Sequence, residues 1–102
     1  MKMNKLLSML GLALRAGRLV SGVQAVEIAL KKGECKLVII DEDASDNTKK
    51  QMADACAFKK TPLITVSASS LGNAIGKPGR MIAAVTDDSF AGRIHQLYKE
   101  IG

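Results

Sequence analysis

Three short apolar runs constrain the fold of this chain more than any other feature. They are Lys36 to Ile40, Leu63 to Val66 and Met81 to Val85. Short apolar runs rich in Val and Ile, with turn residues at their ends, are typical of strands buried on both faces. Such a strand needs a helical layer on each side. The runs therefore predict a small sheet between two layers of helices.

Helical segments separate these strands. Met3, Leu6, Leu7, Leu10 and Leu14 recur at helical spacing, and a glycine at position 17 closes that helix. A short β-prone stretch, 18–20, follows it. Further helices are predicted at 21–33, from 46 to about 58 with Met52, Ala53 and Cys56 on the buried side, at 67–76, and from 88 to 101. The alternation predicts an α/β protein, a three-layer α/β/α sandwich with a small mixed four-stranded sheet, and a single domain over residues 1–102.

The charge distribution favours an anionic partner. The chain has 15 Lys and Arg against 10 Asp and Glu, a formal net charge of +5. Residues 1–36 carry seven Lys and Arg against two Glu, whereas residues 37–58 carry two against five acidic residues. Residues 59–102 are basic again, with six against three. This pattern predicts a basic face built from both ends of the chain, which suits a phosphate backbone. An ordinary protein surface with extra lysine is the alternative.

Two further patterns bear on the cellular compartment. The basic and apolar start of the chain resembles a secretory signal, but Arg15 and Arg18 occupy the place of the small-residue cleavage site. Cys35 and Cys56 show neither disulfide-framework nor zinc-ligand spacing, which predicts buried thiols in a reducing compartment. We therefore expect a cytoplasmic protein with no metal or other cofactor and no membrane segment.

The residues that could carry catalysis do not form a complete site. The stretch 41–45, DEDAS, follows a strand and resembles the nucleophile loop of haloacid-dehalogenase-type phosphatases, with Asp41 and Asp43 as attacking and magnesium-binding carboxylates. Carboxylates at strand ends also cap the next helix, and the chain has no insert to enclose a substrate. Gly72 to Lys77 lacks the ending of a phosphate loop because Pro78 follows, and His95 has no partner motif. No catalytic residue and no small-molecule substrate are predicted, and the phosphatase remains a distant alternative.

Several motifs occur in an order that resembles a known family. Gly22 to Gly33 precedes the strand at 36–40, and Leu71-Gly72-x-Ala74-x-Gly76 follows later. Together they resemble the kink-turn-binding ribosomal proteins, the large-subunit proteins seven-Ae and thirty-e. The stretches 15–17 and 43–48 are closest to their bacterial YlxQ-like relatives. The resemblance implies a monomeric α/β/α sandwich that binds structured RNA, with ribosomal RNA and the ribosome among its targets.

The resemblance also implies two RNA contact places. The first is the start of the second helix, and the second is the loop before the last strand. The glutamine at position 24 is expected to read a base edge, while the N–H groups of 22 and 23 face phosphate or ribose oxygens. Family members often have two polar residues after the glycine that corresponds to Gly22, and a lysine in the next turn of the helix. This chain has Gln24-Ala25 and Ile28 at those positions. The implied contact residues are Ser21, Gly22, Val23, Gln24, Ala25, Lys77, Pro78, Gly79 and Arg80.

Other charged residues are expected to extend this surface. Five basic residues are predicted to flank the same end of the sheet, and an acidic residue is predicted at its rim. The basic residues are Arg15, Arg18, Lys31, Lys32 and Lys36, and the rim residue is Glu42. The sequence leaves open a second class of function, a protein-interaction module on the same fold with weak RNA binding.

Overall fold

One four-stranded sheet organises residues 2–101, which the computed structural model describes. Its strands are β1 (Leu19–Ser21), β2 (Leu37–Asp41), β3 (Leu63–Val66) and β4 (Ile82–Val85), in the spatial order β1-β4-β2-β3. β2 and β3 are parallel, while β4 is antiparallel to both β1 and β2. The sheet is therefore mixed, as the sequence predicted.

Five helices cover the two faces of the sheet. They are α1 (Lys2–Arg15), α2 (Val23–Lys31), α3 (Asp46–Lys59), α4 (Ser70–Ile75) and α5 (Asp88–Ile101). One core cluster joins α1, α4 and α5 to one face, and a second cluster joins α2 and α3 to the other. The predicted three-layer α/β/α sandwich is confirmed. None of these helices combines the length and the apolar character that crossing a membrane requires, within the part of the chain that is described.

The central strand β2 explains why its sequence is continuously apolar. Leu37 and Ile39 belong to the α1, α4 and α5 cluster, whereas Val38 and Ile40 belong to the α2 and α3 cluster. Successive side chains of a strand point to opposite faces, so a strand covered on both sides needs apolar residues at every position. All five residues of β2 are buried.

The buried stripe of α3 is narrower than the sequence predicted. Met52 and Cys56 are buried, as expected, but Ala53 is exposed. Residues four apart lie on one helical face, while the next residue along the chain is turned about 100° away. The prediction for Ala53 was wrong. Alanine is small enough to occur in both buried and exposed positions, so its residue type did not distinguish them.

The strand directions separate the basic residues into two groups. At one end of the sheet β4 begins, and the N–H of Gly22 donates to the oxygen of Ile82 at 2.9 Å. We call this the Gly22 end. At the other end β4 finishes, and the N–H of Lys36 donates to Val85 oxygen at 2.8 Å while Arg18 oxygen accepts from Thr86 at 2.9 Å. Arg18 and Lys36 therefore lie at the far end.

The C-terminus of α2 belongs to the far end as well. The helix starts at the Gly22 end and runs to Lys31 and Lys32, which precede β2. The expectation that Arg18, Lys31, Lys32 and Lys36 flank the same end as Arg80 was wrong. The fold inferred from the sequence suggested one surface, but antiparallel pairing with β4 places these residues a strand length away.

Both cysteines are buried thiols on the α2 and α3 side of the sheet. Burial raises the pKa of the Cys35 thiol to about 11 and also raises the pKa of Cys56. We expect neither thiol to be alkylated by iodoacetamide at about pH 8 in the native protein, because the reactive thiolate is not formed. Mass spectrometry of native and urea-unfolded samples tests this, and both thiols should react when unfolded.

The same pKa shifts predict how stability depends on pH. Above the pKa of an unfolded cysteine the unfolded chain loses protons that the folded chain keeps, so the free energy of unfolding falls. The thiol contribution should be complete below about pH 8.5 and should decline towards pH 11. Rapid alkylation of the native protein at pH 8 would contradict the burial of these thiols.

Candidate functional site

The side chain of Arg80 lies against the junction between β1 and α2. Its guanidinium Nη1 donates to the main-chain oxygen of Ser21 at 3.3 Å. Gly22, the next residue, has φ 96° and ψ 149°, and a Cβ added there would overlap the same Nη1 atom. Glycine is therefore required both for this backbone conformation and for the close approach of Arg80. The two places that the resemblance implied meet at this junction, but the expectation that the Gly22 N–H faces phosphate or ribose was wrong, because it donates to Ile82 oxygen within the sheet.

The N-terminus of α2 has no side-chain cap from any residue between 2 and 101. Gly22 is the N-cap, and the first main-chain bond of the helix runs from Val26 N–H to Gly22 oxygen at 3.0 Å. The N–H groups of residues 23–25 therefore have no acceptor within the helix. Unpaired N–H groups and the positive end of the helix dipole favour anionic oxygens. Ser21, which could have been a cap, is instead the last residue of β1.

The loop that carries Arg80 is a tight turn. The N–H of Arg80 donates to Lys77 oxygen at 3.2 Å, and Gly79 has φ 88°. Proline at position 78 holds its own φ negative, so a positive φ at the following residue defines a type II turn. All four residues of the turn are exposed. The turn therefore fixes the direction in which the Arg80 side chain leaves the backbone.

The turn packs back onto α4. A Cβ added at Gly72 would lie 2.9 Å from Lys77 oxygen and 3.2 Å from Pro78 Cα, so only glycine allows this approach. The N–H of Lys77 donates to Gly72 oxygen at 2.9 Å and closes the helix. The glycine pattern of this segment therefore positions a contact loop and does not form a phosphate loop.

Asp41 holds the start of α4 in place. It is fully buried at the end of β2. Its Oδ1 accepts from the N–H groups of Asp43 at 2.8 Å and Ser69 at 3.1 Å, and its Oδ2 accepts from Leu71 N–H at 3.2 Å. Through α4, this carboxylate also supports the turn that carries Arg80.

The same bonds remove the basis of the phosphatase alternative. A nucleophilic or magnesium-binding carboxylate needs an oxygen that a substrate or an ion can reach. Both oxygens of Asp41 are engaged by main-chain N–H groups, and the residue has no exposed surface. Within residues 2–101 there is also no group of three His, Cys, Asp or Glu placed to hold a metal ion. Asp41 is a structural residue.

A cleft of about 500 Å³ opens beside the Arg80 junction. Its walls come from the start of α2, the start of α3 and the turn before β4. Arg80 is the one charged residue among the described residues that line it. The lining residues are Gly22, Val23, Ser45, Thr48, Gly79, Arg80, Met81 and Ile82.

Four residues of this cleft, Ser45, Thr48, Met81 and Ile82, were not among the inferred contact residues. Ser45 caps α3, since its Oγ accepts from Thr48 N–H at 3.1 Å, and the two hydroxyl oxygens lie 2.9 Å apart. The sequence indicated that this segment caps a helix, but not that the cap lies beside Gly22. The strand directions give that position. β1 and β2 both run antiparallel to β4, so α2 and α3 start at the same end of the sheet.

The other residues that the resemblance implied as RNA contacts differ in their exposure. Gln24 is exposed on the first turn of α2, while Val23 and Ala25 are half-buried. Glu42 is exposed directly after β2, and its N–H donates to Val66 oxygen at 2.9 Å. Arg15 is exposed in the last turn of α1. It lines a separate cleft together with residues 73–75 of α4 and the following glycine, Gly76.

Comparison with known proteins assigns the family. The model of the Ribosomal protein L7Ae/L30e/S12e/Gadd45 family matches residues 4–94. The chain belongs to this family. It is 43% identical over 90 residues to the RNA-binding protein YlxQ of Bacillus subtilis (strain 168), covering 87% of this chain and 90% of that protein. It is therefore a YlxQ-like member, as the resemblance implied.

This chain also matches two more distant proteins. The large ribosomal subunit protein eL8 of Thermoplasma volcanium is 29% identical over 99 residues, covering 95% of this chain and 79% of eL8. The structure of the Giardia lamblia 15.5kD RNA binding protein superposes with a TM-score of 0.78 at 20% identity, covering 98% of this chain and 87% of that one. At that identity the superposition supports the shared fold alone.

Proposed function

We propose that this chain is a non-enzymatic, cytoplasmic RNA-binding protein that recognises kinked, structured RNA at the Gly22 end of the sheet. The observation that carries the proposal is the contact of Arg80 with the uncapped start of α2. The similarity to an RNA-binding protein and to a large ribosomal subunit protein supports RNA as the class of partner. Ribosomal RNA is the first target to test.

The groups at this site match the chemistry of a bent RNA backbone. Arg80 provides a guanidinium that pairs with phosphate oxygens in bidentate geometry. The N–H groups of the first turn of α2 donate to a second oxygen. Gln24 is exposed on the same turn, and its amide can both donate to and accept from a base edge. A bent RNA brings phosphates and unstacked bases within reach of one small surface, whereas a straight duplex does not.

The other residues at this end have supporting roles in the proposal. The turn formed by Lys77, Pro78 and Gly79 holds Arg80 towards the RNA and comes close to the RNA backbone. Glu42 lies at the edge of the contact surface. Ser45 and Thr48 extend the polar wall of the cleft. The far-end residues Arg18, Lys31, Lys32 and Lys36 lie outside this contact surface because they are a strand length away.

Fluorescence anisotropy with a kink-turn RNA and a plain duplex of equal length tests the proposal. We expect the kinked RNA to bind more tightly, and Arg80→Ala to weaken its binding about tenfold. Loss of one phosphate contact should also reduce the slope of log K against log salt by about one between about 50 and 200 mM salt. Gln24→Ala should reduce the preference for the kinked RNA more than the affinity for duplex.

Arg18→Ala is the matched control, because it removes an exposed arginine at the far end of the same sheet. Its effect on kinked RNA should stay within about twofold, as is usual for charges beyond the contact surface at moderate salt. Equal losses for Arg18→Ala and Arg80→Ala would contradict a localised site. Equal affinity for both RNAs would contradict recognition of a kink.

A further inference from the structure

A second surface lies between α2 and α3, away from the proposed RNA site. It is an apolar groove of about 360 Å³. Leu30 and Met52 form its base, Ala55 is half-buried, and Phe58 stands beside them with 84% of its surface exposed. The fold does not require an aromatic residue at this exposed position. An exposed aromatic beside a groove with methionine at its base is typical of a surface that binds another chain.

Charge is distributed unevenly along the groove. At the end nearer the starts of the helices, Gln51 donates to Glu27 at 2.9 Å and links α3 to α2. At the far end the two helices finish in exposed lysine pairs, Lys31 with Lys32 and Lys59 with Lys60. Glu34 is an exposed acidic residue at that end. The groove therefore leads from a single carboxylate, that of Glu27, to a strongly basic end.

We propose that this groove binds a short helical segment of a protein partner that carries a large apolar side chain and acidic residues. The apolar side chain packs against Leu30, Met52 and Phe58, and the acidic residues pair with Lys31 and Lys59. From Gln51 to Lys59 the wall is about 12 Å long, which matches two turns of a helix. Such a partner satisfies both the apolar base and the basic end.

The other occupants fit less well. The apolar base formed by Leu30 and Met52 offers no hydrogen-bonding group to the base edges of a nucleic acid, whereas it can pack against an apolar side chain of a protein. A second copy of this chain in a symmetric dimer would bring the same basic end towards itself, and like charges in close contact are unfavourable. Charge complementarity therefore favours an acidic protein segment, which can bind while the Gly22 end holds RNA.

The test is an NMR titration of the ¹⁵N-labelled full chain with synthetic peptides of about 14 residues, the length at which helices become stable. The first peptide has leucines at helical spacing and Glu or Asp elsewhere, and the second has the same leucines with Lys instead. We expect the acidic peptide to shift the amide signals of Leu30, Ala55 and Phe58 and to bind at least about tenfold more tightly than the basic one.

Three variants sharpen the test. Phe58→Ala should weaken the acidic peptide about tenfold without affecting the fold, because the side chain is exposed. Lys31→Glu combined with Lys59→Glu should reverse the preference towards the basic peptide. Leu12→Ala removes a partly exposed apolar residue of α1, on the other helical layer, and should change nothing.

Several outcomes would overturn the proposal. These are the absence of groove shifts at millimolar acidic peptide, equal binding of both peptides, and acidic-peptide binding that survives Phe58→Ala. Shifts at Phe58 and Lys59 caused by duplex or kinked RNA would assign the groove to RNA. Concentration-dependent dimers in sedimentation that Phe58→Ala abolishes would assign it to a second copy. None of these results depends on whether RNA binds at the Gly22 end.

Discussion

Asp41→Ala should lower the free energy of unfolding by about 3 kcal/mol, because three main-chain N–H groups, one buried and two part-buried, would lose their acceptor. The native carboxylate accepts from the N–H groups of Asp43, Ser69 and Leu71. An unpaired buried donor costs about 1 to 3 kcal/mol, and partial entry of water keeps the total below the sum of three. This loss is a large part of the stability of a small domain. Urea unfolding monitored by circular dichroism measures it.

Asp43→Ala is the matched control for that change. Asp43 is exposed, and its carboxylate has a long 3.5 Å contact with Ser69 Oγ. Its replacement should change stability by less than about 0.5 kcal/mol. Amide exchange at Ser69 and Leu71 should accelerate in Asp41→Ala and not in Asp43→Ala. Equal stability of the two variants would show that Asp41 does not anchor the start of α4.

Gly22→Ala should weaken binding of kinked RNA about tenfold, equivalent to about 1.4 kcal/mol, because the added Cβ displaces Arg80. Arg80→Ala should have a similar effect, since it removes the same guanidinium. If the two residues act as one unit, the double variant should bind no more weakly than Arg80→Ala alone. Anisotropy titrations of both single variants and the double variant measure this coupling.

Gly33→Ala separates backbone strain from the loss of Arg80. Gly33 also has a positive φ, 72°, but an added Cβ there would meet nothing within 4 Å. Both glycine variants should lose about 1 kcal/mol of stability, because alanine is strained at positive φ. Gly22→Ala alone should lose RNA affinity. Additive losses in the double variant would mean that the two residues contribute to RNA binding independently.

The layers of the fold could be predicted because each depends on local composition. The first four residues of β2, 37–40, are all apolar, and this pattern favoured helices on both faces. The order of the strands was not predictable in the same way. β4, the last strand, inserts between β1 and β2, and only the pairing of the complete chain shows this. That insertion decides which loops share an end of the sheet.

The candidate site shows the same division. The family resemblance implied Gly22 and Arg80 as contact residues, and the structure places these two residues against each other. The sequence misplaced Arg18, Lys31, Lys32 and Lys36, because their charge is local but their position follows from antiparallel pairing with β4. It also left Asp41 open to a catalytic interpretation, which its burial and its bonds to distant N–H groups removed.

By itself, the sequence determined the number and type of elements and the two-sided core, because each depends on residues that are neighbours within a few positions. The tertiary structure decided which residues act together. Arg80 reaches Gly22, and Asp41 reaches Leu71, only after strands and helices distant in sequence have packed. Contacts between distant segments depend on strand order and direction, which no local pattern encodes.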